Sequence, residues 1–80
     1  MVRFISIEAA IDAMEEIHKN VDPSDSFESD LFHGICDTIE NLLIIYQGLE
    51  LSMSDFNKEA IKLANAYFEA YETVGFTYRV

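Results

Sequence analysis

Apolar residues recur at helical spacing over three stretches of this chain, and this repetition constrains the fold more than any other feature. An interval of three or four residues places side chains on one face of an α-helix. The three stretches predict helices over residues 7–20, 26–47 and 52–74. Asp22-Pro23 ends the first stretch, because the residue before proline is pushed out of the helical region. We therefore expect a mainly α fold, a three-helix bundle formed by one domain of 80 residues.

The second predicted helix is unusually apolar. Its apolar side chains span about half of the helical circumference, whereas a stripe of about 100° is ordinary for a helix that packs on one side. Such a helix needs neighbours on two sides, so we expect it to be the central helix or to form part of an interface. Gly48 suits the left-handed residue that ends a helix. Leu49 would then fold back onto Ile44, the one aliphatic residue on the polar side.

Both ends of the chain alternate in polarity as a β-strand does. The segments are residues 2–5 and 76–80, and Phe76 in the second is expected to pack on Tyr71. The two segments predict a short two-stranded β-ribbon formed by the termini. A two-stranded ribbon is weak by itself in water, so the alternative is a C-terminal tail that pairs with nothing.

The chain combines high acidity with high hydrophobicity. It has 15 acidic and 5 basic residues, a formal net charge of −10, and 50% hydrophobic residues. Disordered acidic segments carry few apolar residues, so this composition indicates a compact body with a negative surface. Such a surface repels nucleic acid and most membranes and attracts basic proteins. We therefore expect neither direct binding to nucleic acid nor binding to membranes.

The negative charge is unevenly distributed along the chain. Residues 8–40 hold ten acids and one base, Lys19, whereas residues 41–80 hold five acids and three bases. Interaction with the helix dipole explains acids at helix starts, such as Glu8, Asp25 and Glu28, but not the remaining density of like charge. We expect a partner-binding face formed by carboxylates of this acidic segment. Its predicted members are Asp12, Glu15, Glu16, Asp22, Asp25, Asp30, Asp37 and Glu40.

The sequence contains no motif that predicts catalysis, a metal or a cofactor. One Glu-x-x-His pair, Glu15 with His18, matches only part of the ligand set of di-metal helical bundles, and we interpret His18 as a partly buried residue and Glu15 as a solvated one. Aromatic residues near position 67 have the helical spacing of core residues. Cys36 is the only cysteine, so no disulfide forms within the chain and a cytoplasmic location is expected.

Two functional hypotheses follow. In the first, the protein is an inhibitor or adaptor that docks its carboxylates on a basic, nucleic-acid-binding surface of a nuclease, polymerase or defence complex, as a phage or mobile-element protein would. The association should then weaken with salt. In the second, the protein is a homodimeric helical module that uses an apolar interface, and its acids serve solubility alone.

Overall fold

The structure is a computed structural model that describes residues 4–79. It contains three helices, α1 (Ile7–Asn20), α2 (Ser26–Gly48) and α3 (Met53–Thr73). All three pack together, which confirms the mainly α, three-helix prediction. The described body is elongated, with extents of 44 × 22 × 17 Å.

Each helix begins at a side chain that caps it. Ser6, Asp25 and Ser52 each accept a hydrogen bond from the backbone N–H group three residues further along the chain. These residue types are the preferred ones at this position, because the first N–H groups of a helix have no partner within it. The local sequence therefore determines where each helix starts.

The core is centred on α3, which packs along both other helices, whereas α1 and α2 contact each other along fewer residues. Ala60 and Ala64 of α3 and Ala10 of α1 have no exposed surface, and their small side chains allow neighbouring backbones to approach closely. The expectation that α2 is the central helix is therefore wrong. Part of its wide apolar face stays exposed, since Phe27 and Ile45 are 54% and 53% exposed.

The turn between α2 and α3 differs from its prediction. Gly48 remains helical, and Glu50 adopts the left-handed conformation instead, with φ of 55°. The N–H groups of Glu50 and Leu51 bond to the carbonyls of Gln47 and Tyr46, which is the Schellman pattern of helix ends. Because the helix continues past the glycine, Leu49 does not cover Ile44, and both side chains are 66% exposed.

The C-terminal segment packs against the connector between α1 and α2. The N–H of Asp22 donates to the carbonyl of Thr77 at 2.6 Å, and Val21 and Tyr78 form an isolated antiparallel bridge. Phe76 is 5% exposed, and its ring centroid lies 5.8 Å from that of Tyr71. The predicted contact between these two rings is thus confirmed, and the segment is not an unpaired tail.

The predicted ribbon between the termini is not confirmed. Residues 4–79 contain no strand, and the C-terminal segment bonds to the connector. Val2, Arg3 and Val80 of the predicted ribbon lie outside the described residues. At the other end of the described chain, the Asn57 side chain accepts a hydrogen bond from the Ile7 N–H and donates one to the Ile5 carbonyl, which attaches the start of α1 to α3.

Candidate functional site

Carboxylates of α1 and α2 act on the single thiol, Cys36. Cys36 is partly buried, and its pKa is raised first by that burial and then by the negative charges of Glu15, Glu40 and Asp37. Glu15 belongs to α1 and the other two to α2. Three of the predicted site residues, from two helices, therefore act electrostatically on one thiol.

The acidic surface continues beside a groove near the start of α1. Glu8 and Glu40 both line this groove, which has a volume of about 370 Å³. Asp12 and Glu16 follow Glu8 at intervals of four residues, so they share its side of α1, and both are exposed. We call the exposed acids of α1 together with Asp37 and Glu40 the acidic face; its members are Glu8, Asp12, Glu15, Glu16, Asp37 and Glu40.

The three remaining predicted site residues lie in or near the connector. Asp30 is exposed on the first turns of α2. Asp22 accepts hydrogen bonds from the N–H and hydroxyl of Ser24; these bonds lower the pKa of Asp22, and the positive charge of Arg79 adds to the effect. Asp25 accepts from the N–H groups of Glu28 and Thr77. Asp22 and Asp25 therefore hold the connector and the C-terminal segment in place.

The charges of the acidic face are not neutralised by neighbouring cations of the described chain. Within residues 4–79 there are two ion pairs, His18 with Glu28 and Lys62 with Glu59. None of the six acids of the acidic face takes part in either pair. Lys19 lies one turn from Glu15 and Glu16 on α1, but the six acids outnumber it, and the face presents a net negative potential.

One acid of the segment is buried rather than displayed. Glu28 is 2% exposed. The His18 Nδ1 atom lies 2.9 Å from each of its carboxylate oxygens, and the Tyr67 hydroxyl donates to Oε2 at 2.5 Å. A buried carboxyl group is tolerated only when it is hydrogen-bonded or paired. Here His18 of α1 and Tyr67 of α3 are the partners of Glu28 on α2.

Aromatic rings enclose this buried cluster of His18, Glu28 and Tyr67. The His18 ring stacks on Phe32 with centroids 4.1 Å apart and planes 3° apart, while Phe32 meets Tyr67 edge to face at 5.7 Å. Burial raises the pKa of Tyr67, and its hydrogen bond to the Glu28 carboxylate acts in the same direction. The phenol therefore stays protonated and remains a donor.

The buried cluster lies against a pocket of about 540 Å³. Its lining includes the cations Lys19 and Arg79 and the acids Asp22 and Asp25, besides His18 and Glu28. Opposite charges are mixed in this lining, so the pocket favours neither anions nor cations. A carboxylate that orients an imidazole occurs in acid–base catalysis, but here the same contacts connect three helices, and we assign the cluster to the architecture of the bundle.

The sequence pattern predicts Glu28 only as an acid at a helix start and does not predict the buried cluster. The available signal was its register. Glu28 precedes Phe32, Ile35 and Ile39 at the spacing of core positions, and those three are buried. A charged residue in that register, with a histidine on the apolar side of another helix, predicts a buried pair. His18 is partly buried and Glu15 exposed, which confirms the interpretation of that pair.

The described residues offer no metal centre and no membrane span. Within residues 4–79, no three His, Cys, Asp or Glu side chains are grouped so that they could hold a metal ion. None of the three helices described is both long enough and apolar enough to cross a bilayer. Comparisons of the chain with protein-family models, with curated proteins and with solved structures found no match.

Proposed function

We propose that this protein is a small acidic inhibitor or adaptor that docks its acidic face on a basic surface of another protein. The observation that carries the proposal is that Glu8 of α1 and Glu40 of α2 line one groove, with no cation paired to either within residues 4–79. The helices set the backbone positions from which these carboxylates project. They can therefore match a surface built to bind the phosphates of a nucleic acid.

The proposed partner is a nuclease, a polymerase or a defence complex, in the style of a phage or mobile-element protein acting in the cytoplasm. Complementary charges accelerate association and select partners. Like charges held this densely lower the stability of a small domain. A role in binding would explain why the domain carries them in spite of this loss of stability. The salt dependence of binding distinguishes this role from simple solubility.

Affinity capture with charge-reversed protein tests the proposal. The immobilised protein is compared with the triple variant Asp12→Lys, Glu15→Lys, Glu16→Lys. The matched control is Glu69→Lys with Glu72→Lys, which reverses two exposed acids of α3. We expect the wild type and the control to retain the same basic nucleic-acid-binding protein from a lysate at about 50 mM salt and to release it at about 500 mM.

The triple variant should lose that protein. Retention by the triple variant, or binding that is indifferent to salt, would show that the acidic face is not the docking surface. Circular dichroism of each variant establishes beforehand that the helices are intact.

A second candidate function is a homodimeric module. It is favoured by exposed apolar side chains around the α2–α3 turn, with exposures between 47% and 66%. They are Ile44, Ile45, Leu49, Leu51 and Met53. Sedimentation equilibrium at micromolar concentration tests the candidate: a dimer that the change Ile45→Gln with Leu49→Gln dissociates supports it, and a monomer at all concentrations contradicts it.

A further inference from the structure

We propose that the groove between α1, α2 and α3 receives a basic amphipathic helix of the partner protein. The apolar side chains of that helix would lie on the groove floor and its lysine or arginine side chains beside the acidic rims. This inference rests on the proposed function and specifies the part of the basic partner that this chain recognises.

The floor of the groove is apolar. Ile11 and Leu43 are partly buried there, and Met53, at 48% exposure, lies at one end. Ile39 and Phe56 line the groove from below, at 4% and 5% exposure. A floor of this kind, backed by a packed core and edged by a flexible methionine, suits the apolar stripe of a helix.

The rims of the groove carry one sign of charge. Glu8 projects from α1 and Glu40 from α2, and no described residue that lines the groove is a cation. Asp37, one turn before Glu40 on α2, and Glu15, two turns after Glu8 on α1, are further exposed acids that extend this charge. Apolar residues between two acidic rims are complementary to a helix whose apolar stripe is flanked by basic residues.

The same charges disfavour a second copy of this chain as the occupant. A copy carries a formal net charge of −10, and its acids would approach Glu8 and Glu40. Carboxylates brought together without cations repel one another, and such juxtaposition suppresses wrong partners. Charge complementarity therefore favours a basic helix.

The probe for this test is a fluorescein-labelled peptide of about 18 residues made of Leu and Lys at helical spacing. A second peptide has the same composition in an order that gives no apolar stripe. Fluorescence anisotropy measures the binding of each to the full chain at about 50 and about 500 mM salt. We expect the amphipathic peptide to bind at least about tenfold more tightly than its scrambled partner, and more weakly at the higher salt.

Changes in the floor test the apolar part of the proposal. Met53→Gln and, separately, Leu43→Gln should each weaken binding of the amphipathic peptide by about tenfold, as expected for the loss of one buried apolar contact. The matched control is Ile44→Gln, an exposed neighbour outside the groove lining, which should change the affinity by less than about twofold. Met53 is half exposed, so its variant stays informative if Leu43→Gln unfolds the domain.

Changes in the rims test the charged part. Glu8→Gln with Glu40→Gln should weaken binding at low salt and leave the affinity at high salt nearly unchanged. Glu69→Gln with Glu72→Gln is the control and should have no effect.

The possible failures are distinguishable. Both peptides could bind equally and in a salt-sensitive way, with the rim variant weakening binding and the floor variants leaving it unchanged. That result overturns the proposal that the groove receives a helix, and it is consistent with the proposed docking function of the acidic face. If the affinity for the amphipathic peptide changes neither with salt nor in the rim variant, both proposals are overturned. A wild-type dimer that Met53→Gln dissociates shows that a second copy covers the groove, which also overturns the inference.

Discussion

The hydroxyl of Tyr67 donates a hydrogen bond to Glu28 Oε2 at 2.5 Å, across the contact between α3 and α2. Tyr67 has no exposed surface and Glu28 is 2% exposed, so water does not replace this bond when it is lost. The bond fixes a buried carboxyl group in the same place where His18 of α1 approaches. It therefore links the position of α3 to both other helices.

Tyr67→Phe should lower the free energy of unfolding by about 1–3 kcal/mol, because it removes a donor from a buried carboxylate. The matched control is Tyr71→Phe, since the Tyr71 hydroxyl makes no hydrogen bond within residues 4–79, and we expect that change to cost less than about 0.5 kcal/mol. Urea unfolding followed by circular dichroism measures both. Equal urea midpoints for Tyr67→Phe and Tyr71→Phe would show that the buried cluster does not stabilise the fold.

Stability should fall in alkaline solution because of Tyr67. Its pKa in the folded protein is raised above the ordinary value of 10.0, so above that pH the unfolded chain releases a proton that the folded chain keeps. Deprotonation then favours unfolding, and the free energy of unfolding falls by about 1.4 kcal/mol per pH unit for this group. Cys36, raised above 9.0, contributes in the same direction from a lower pH.

Urea midpoints measured across the alkaline range test this prediction. Tyr67→Phe should show a shallower decline than the wild type above about pH 10, and Tyr71→Phe should decline as the wild type does. Parallel declines for the wild type and Tyr67→Phe would mean that Tyr67 ionises as easily in the folded chain as in the unfolded one.

Cys36 should react slowly with iodoacetamide. The thiolate is the reactive form, and burial and nearby carboxylates raise the pKa of this thiol. The triple variant Glu15→Gln, Asp37→Asn, Glu40→Gln should react at least about twofold faster at low salt, because it removes charges that oppose ionisation. Alkylation rates measured by mass spectrometry give the comparison.

The control for Cys36 is Glu69→Gln with Glu72→Gln, which should react at the wild-type rate. If the triple variant also reacted at that rate, the three carboxylates would not act on the thiol, which would contradict the electrostatic part of the acidic face.

Phe76 should anchor the C-terminal segment. Phe76→Ala removes a ring that is 5% exposed and that lies between Tyr67 and Tyr71, with centroids 5.6 and 5.8 Å away. We expect a loss of about 3 kcal/mol in the free energy of unfolding. Val74→Ala, at a position 62% exposed, should cost less than about 0.5 kcal/mol. A similar small loss for Phe76→Ala would show that the segment is dispensable.

The sequence predicts the parts of this fold that depend on local chemistry. Pro23 and the caps at Ser6, Asp25 and Ser52 act through neighbouring residues, so the helix bounds are close to those predicted. Gly48 shows the limit of that reasoning. A glycine permits a left-handed residue without requiring one, and the helix ends with Glu50 in that conformation.

Features that depend on contacts distant in sequence were not predicted. The C-terminal segment pairs with the connector around Val21. An alternating pattern predicts that the segment is extended, but it does not predict whether the segment pairs with residues 2–5 or with the connector. Glu28 resembles every other acid of its segment until Tyr67, 39 positions away, is placed beside it. For the acidic face, the sequence predicts exposure, but the placement of Glu8 and Glu40 on one groove follows from the packing of α1 against α2.

The acidic face should reduce the stability of the domain that carries it. Asp12→Asn, Glu15→Gln and Glu16→Gln together remove like charges at helical spacing, each close pair of which costs about 0.2–0.5 kcal/mol. The variant also removes the attraction of Glu15 and Glu16 to Lys19, one turn further along α1, so we expect it to be more stable than the wild type by only about 0.2–0.5 kcal/mol at low salt. At about 500 mM salt the difference should nearly vanish, because screening already weakens the repulsion in the wild type.

Thermal unfolding over a salt series measures this difference in stability, with the wild type at high salt as the internal control. A gain in stability that persists at high salt would point to altered helix propensity, and a loss would show that these carboxylates stabilise the domain.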